Sequence, residues 1–254
     1  RDSPYSDSID NQQGTRSVRG PRRHEIDPAV PDSVRLCLSM VQPGCTGGHD
    51  SGFRTTWCRM DSRMIEIRIH GRGGQGNVVA AYLLATAAFE EGRFAQAFPS
   101  FGAERRGAPV TAFVRIDSDP IRHRCQVLNP GFLIIQDQAL LHIPGVTDGL
   151  SHGGGILVNS TISAADLSDR LGQAVVALPA TSLATEILGR PVPNTALLSA
   201  FLALTGLLPQ ESLLKALGAR FHGDILERNT RLVNEAASLV QENAWREEAR
   251  AASA

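Results

Sequence analysis

The stretch that most constrains this chain is Met64 to Val79, MIEIRIHGRGGQGNVV. Ile65, Ile67 and Ile69 alternate with polar residues, the period of a half-buried strand. Gly71, Gly73, Gly74 and Gly76 follow at once, and an Ala- and Leu-rich helical run extends from Val78 to Glu91. Strand, glycine turn, helix is the layout of a loop that faces phosphate or nucleotide. Glycine tolerates positive φ and lets a backbone approach an anion closely. The first helical turn adds unpaired N–H groups and the positive end of the dipole. Gly71, Gly73, Gly74, Gln75 and Gly76 are therefore candidate ligand contacts. No G-K-[ST] follows, so this is not a Walker loop. The run is not taken as a dinucleotide fingerprint, and a tight turn without a ligand is an equal alternative.

Downstream, strands and helices alternate. Phe94–Phe98, Val110–Ile116, the run FLIIQ at 132–136, Ile156–Asn159 and Ala174–Leu178 read as short strands. Ala164–Leu171, Thr181–Leu188, Thr195–Leu207, Glu211–Ala219 and Ile225–Glu242 read as helices. This order predicts an α/β fold: an open, largely parallel sheet with helices on both faces.

Residues 1–63 differ from the rest. They are polar, with scattered Pro, Gly, Ser, Asp and Arg, and cannot bury enough apolar surface to offset their ordering entropy. The expected organisation is a disordered or irregular extension over 1–63, one domain over 64–245, and a frayed tail over 246–254. The extension has no apolar segment of a secretory signal, and Asp2, Asp7, Asp10, Glu25 and Asp27 count against a transit peptide. Met64 is the expected natural start, so a chain beginning there should fold and assemble as well as the longer one.

The formal net charge of −1 argues against a nucleic-acid partner. Lys215 is the one lysine among 25 basic residues, a bias that points to genome composition rather than to mechanism. Cys37, Cys45, Cys58 and Cys125 show no C-x-x-C spacing, so no zinc or iron–sulfur site is expected. A reduced Cys125 suits a cytoplasmic protein. No apolar run reaches the length of a membrane span.

The second informative stretch is Ala95 to Val110, AQAFPSFGAERRGAPV. It lies between two strands and holds Ser100, Arg105 and Arg106. Loops of open α/β sheets collect ligands at the carboxyl ends of strands. The arginine pair suits a phosphate or carboxylate, and equally an ion pair with Glu104 or a subunit contact. Asp137 stands at a strand's carboxyl end, placed for a site or for capping the segment at Gln138. Asn194 is expected to cap the helix that follows it. His70 is expected to be a polar strand end.

Together these stretches carry a resemblance. GRGGQGNVVAAYLLATAAFEEG followed by FAQAFPSFGAERRGAPVTAFVRI resembles the gamma subunit of the pyruvate/2-oxoacid:ferredoxin oxidoreductase family. FLIIQDQALL, GLSHGGGILVNS, the segment reaching Asn194–Thr195 before a helix, and the last helix with Asn229 continue it in order. It covers roughly 64–242, and ERRGAPV resembles the pyruvate branch more than the 2-oxoglutarate branch. Asn77 departs from the family's usual apolar residue.

The resemblance implies a complex that converts a 2-oxo acid and coenzyme A to acyl-CoA and carbon dioxide, passing electrons to ferredoxin. It implies thiamine diphosphate, magnesium and [4Fe-4S] clusters on alpha, beta and delta-type partner subunits. This chain would then be a non-redox subunit, inactive alone, with roles in architecture and in binding or gating coenzyme A. The alternatives are a related complex acting on aryl, branched-chain, 2-oxoglutarate or oxalate substrates, with an NAD-linked flavin subunit as acceptor in some, and a stand-alone nucleotide-binding protein.

Overall fold

The computed structural model describes residues 64–100 and 108–252. The extension expected at 1–63 and the Arg105–Arg106 pair lie outside the described residues. In chain order the elements are β1 (Ile65–Arg72), α1 (Asn77–Glu90), β2 (Phe94–Ser100), β3 (Pro109–Asp117), β4 (Phe132–Ile135), a 3-10 helix (Gln138–His142), β5 (Gly155–Asn159), α2 (Ala164–Leu171), β6 (Val175–Leu178), α3 (Ala180–Leu188), α4 (Asn194–Thr205), α5 (Gln210–Gly218), α6 (Gly223–Ser238) and α7 (Arg246–Ala252).

The strands form one sheet in the order β2-β3-β1-β4-β5-β6. β1, β4, β5 and β6 run parallel. β3 runs antiparallel to both of its neighbours, β1 and β2. β1 and β2 therefore point the same way, and the turns after them emerge at the same end of the sheet. β3 returns from β2 and inserts between the two.

Alternation along each strand sorts side chains onto two faces. Ile67, Ile69, Phe132, Ile134 and Leu157 share one core with Ala80, Leu84, Ala184, Leu197, Phe201, Leu213 and Leu232 of the helices. Leu133, Ile135, Ile156, Val158 and Val175 turn to the opposite face, where Leu140 of the 3-10 helix and Leu167 of α2 cover them. Both faces carry helices as expected, but unequally. α1 and α3 to α7 crowd the first face, while the 3-10 helix and α2 alone serve the second core. α2 starts cleanly because the Ser163 hydroxyl accepts from the Asp166 N–H at 3.1 Å and donates to its carboxylate at 2.7 Å.

Under β1, β3 and β2 the second face mixes polar and charged side chains with the Phe98–Phe113 ring pair. Arg115, 1% exposed, donates from Nε to Glu66 at 2.7 Å and from Nη1 to Gln96 at 3.2 Å, and lies 5.4 Å from the Phe98 ring centroid. A buried guanidinium held by several partners avoids most of the penalty of an unpaired charge.

The C-terminal segment needs a correction. Instead of fraying, Arg246–Ala252 forms α7. Trp245 is buried, stacking on Phe132 at 5.9 Å between ring centroids, and the Trp245 N–H donates to Leu204 O at 2.8 Å. Its polar neighbours hid an anchor whose apolar area outweighs the entropy of ordering the segment.

Candidate functional site

The site builds outward from the end of β1. Arg72 and Gln75 close a turn: the Gln75 N–H donates to Arg72 O at 3.1 Å, and the Arg72 N–H donates to Gln75 Oε1 at 2.7 Å. Gly74 and Gly76 adopt φ of 99° and 80°, which a side chain would strain. Gly76 is the N-cap of α1, no side chain caps that helix, and no acidic residue stands in its first turn. An uncapped helix start leaves backbone donors for an anion. Gly73 joins the other stretch, its N–H donating to Ala108 O at 3.0 Å. Ser100, Gly71, Gly73, Gly74, Gln75 and Gly76 thus stand at one end of the sheet. Arg105 and Arg106 belong to the segment whose two ends, Ser100 and Ala108, are described.

The intervals of Gly71, Gly73 and Gly76 are, counted out, those of G-x-G-x-x-G. The topology nonetheless differs from a dinucleotide fold. β3 separates β2 from β1. The position about 20 residues beyond the glycines, where an acid would hold a ribose, is Gln96, committed to Arg115.

A topological switch point lies between β1 and β4. The connection after β1 packs α1 on the first face, and that after β4 packs the 3-10 helix on the second. Such crevices are where open α/β sheets bind ligands. Here an ion pair spans it, Arg72 Nε to Asp137 Oδ2 at 2.5 Å. Asp137 Oδ1 also accepts the Ala139 N–H at 2.9 Å, so this carboxylate both pairs across the crevice and caps the 3-10 helix.

On the helix-rich face, amides crown the sheet's carboxyl end. Asn77 Nδ2 donates to Val110 O at 2.8 Å, Asn159 Nδ2 to Gln136 O at 2.8 Å and Asn194 Nδ2 to Gly76 O at 3.4 Å. Asn194 is the first residue of α4 rather than its cap, but its Oδ1 still accepts the Thr195 N–H at 2.8 Å. Gly71 has no room for a side chain, because Asn77 Oδ1 stands where its Cβ would be. Gln136 is 0% exposed, and neither side-chain amide atom has a partner among the described residues.

On the other face the register lines up Ser100, Thr111 and His70 in one row across β2, β3 and β1. Thr111 Oγ1 lies 3.4 Å from His70 Nδ1. His70 Nε2 is buried without a partner among the described residues. Burial, with Arg68 nearby adding repulsion, lowers the imidazole to about 4, so it is neutral near pH 7. His70, Asn77, Gln136 and Arg72 were not singled out as contacts from the sequence. Only the strand register, known once β3 is placed, brings His70 into one row with Ser100, with Thr111 between them.

The family model described as pyruvate ferredoxin/flavodoxin oxidoreductase matches residues 66–239. The chain belongs to that family. It is 48% identical over 176 residues to the pyruvate/ketoisovalerate oxidoreductases common subunit gamma of Thermococcus kodakarensis, covering 68% of this chain and 95% of that protein. It is 46% identical over 181 residues to pyruvate synthase subunit PorC of Methanothermobacter thermautotrophicus, covering 70% and 95%. The crystal structure of pyruvate oxidoreductase subunit PORC from Thermotoga maritima superposes with a TM-score of 0.63 at 35% identity, over 69% of this chain and 96% of that one. The gamma-subunit resemblance holds. The family-matched region stops at 239, before Trp245 and α7. No helix among the described residues is long and apolar enough to cross a membrane.

Proposed function

We propose that this chain is the non-redox gamma subunit of a thiamine-dependent 2-oxoacid:ferredoxin oxidoreductase of the pyruvate synthase type, and that it helps to hold coenzyme A. The carrying observation is the uncapped start of α1 at the switch point, with Arg72 beside it. Coenzyme A brings several phosphate charges, which helix N–H groups and arginine forks hold well. The segment bearing Arg105 and Arg106 is tied to the same loop through Gly73 and Ala108. Names of relatives supply the reaction class: they pair pyruvate with ketoisovalerate, which supports substrate choice lying outside this chain.

Thiamine diphosphate with magnesium would supply the carbon chemistry, and [4Fe-4S] clusters the electron path, on partner subunits. Among the described residues no three His, Cys, Asp or Glu side chains converge on a metal position, so no described residue is assigned to these groups. The acceptor is ferredoxin, reached through those partners in the cytoplasm.

Arg106→Ala in the whole complex tests the reading. A lost charged contact costs about 1.5–3 kcal/mol, roughly a 10- to 150-fold rise in the KM for coenzyme A. Intact assembly with that rise supports the binding role. Loss of the subunit on size exclusion, with normal kinetics in whatever stays assembled, sinks it in favour of an interface role. Turnover of pyruvate by the isolated chain would refute the non-redox assignment.

A further inference from the structure

A cleft of about 250 Å³ opens between the 3-10 helix and α2 on the thinly covered face. It lies beside the switch point, because Asp137, which pairs with Arg72, also caps that 3-10 helix. Its floor is aliphatic: Ile162, Leu167 and Leu171 line it. Its polar lining consists of Gln138, His142 and Arg170, with no carboxylate. Gln138 Oε1 accepts from the Ser160 hydroxyl, so the oxygen of that lining amide is already engaged. Neither Arg170 nor His142 makes a side-chain hydrogen bond or ion pair to any described residue.

We propose that this cleft binds a small organic carboxylate with a short branched hydrocarbon body. The chemistry selects that class. An aliphatic floor favours a hydrocarbon, and Arg170 as the one always-charged lining residue, with no carboxylate beside it, favours an anion over a cation or a neutral amide. The volume, below the usual range of about 300–1,000 Å³ for drug-sized ligand sites, suits a molecule of a few carbons rather than a nucleotide. Occupancy has a direct route to the glycine loop. A ligand seated against Gln138 presses on the 3-10 helix, whose cap Asp137 holds Arg72, and Arg72 is hydrogen-bonded to Gln75. The cleft is thus a second site behind the first, coupled to it by one carboxylate. The proposal does not require that coenzyme A bind this chain.

The test uses the full chain and 3-methylbutanoate as probe, followed by methyl NMR of Ile162, Leu167 and Leu171. Saturable shifts with a dissociation constant of about 1–10 mM are expected, the range of a ligand this small. Arg170→Gln, at an exposed position, should weaken binding about tenfold or more. Absence of saturable shifts, equal shifts with uncharged 3-methylbutanamide, or unaltered binding in the variant overturns the site. In the wild type the Gly73, Gly74 and Gly76 amides should shift with the methyls, and in Asp137→Asn they should not. Glycine amides that stay still in the wild type overturn the coupling. If the assembled complex refuses a probe that the chain alone binds, the cleft is a subunit contact and the proposal falls.

Discussion

The indole of Trp245 occupies the space that a side chain on Gly155 would need: a Cβ there would stand 2.8 Å from Cδ2 and Cε3 of the ring. The start of β5 is bare so that an aromatic from the C-terminal segment can lie against the sheet. Trp245→Ala should cost about 3–5 kcal/mol, measured by urea unfolding. Gly155→Ala should cost about 1–3 kcal/mol by overpacking, and much less when combined with Trp245→Ala. Equal costs in both backgrounds would mean that the two positions do not compete for one space.

A similar exclusion operates in the glycine loop. Gly71→Ala must displace the Asn77 amide and break its bond to Val110 O. The expected loss is about 1–3 kcal/mol. Gly71→Ala combined with Asn77→Ala should recover part of it, because the shorter side chain gives way. A thermal melt of the two variants checks this, and no recovery in the double variant counts against it.

Stability should depend on pH through His70. Its native pKa of about 4 lies below the ordinary 6.5. Above the unfolded value both states are neutral there and the stability is fully present. As pH falls from about 6.5 towards 4, the unfolded chain takes up a proton that the native state refuses, and stability falls by about 3 kcal/mol. Arg68 is the charged neighbour that reinforces the effect. His70→Gln should flatten this window in urea titrations at stepped pH, and an unchanged slope in the variant would assign the dependence elsewhere.

Gln136 offers a gain rather than a loss. Its buried amide has no partner among the described residues, and each unpaired polar group costs about 1–3 kcal/mol. Gln136→Met keeps the shape and removes the cost, so the melting temperature of the isolated chain should rise. A clear fall would show that this amide is satisfied in solution.

The order of strands and helices was legible because apolar periods change sharply at Gly71–Gly76, near Gly155 and at Gly172. Local residues carry that signal. The direction of β3 was not legible: Val110–Ile116 reads as a strand whichever way it runs, and antiparallel pairing is decided by its contacts with β1 and β2. The glycine loop could be named from its composition. His70 and Arg72 could not, since their neighbours Thr111 and Asp137 come from distant parts of the chain. The order of the segment after Trp245 is hidden in the same way: Trp245 sits among polar and charged residues, and its partner Phe132 lies far upstream.

The uneven covering of the sheet has a consequence for synthesis. The last strand ends at Leu178, but α3 to α7, which shield most of the first face, follow it in the chain. At about 5–20 residues per second a ribosome needs roughly 4–15 s to add them. Through that interval the nascent sheet shows Ile67, Ile69, Phe132 and Ile134 to solvent with little besides α1 to cover them. A chain built in this order invites a chaperone, or a partner subunit already waiting, to take hold before it leaves the ribosome.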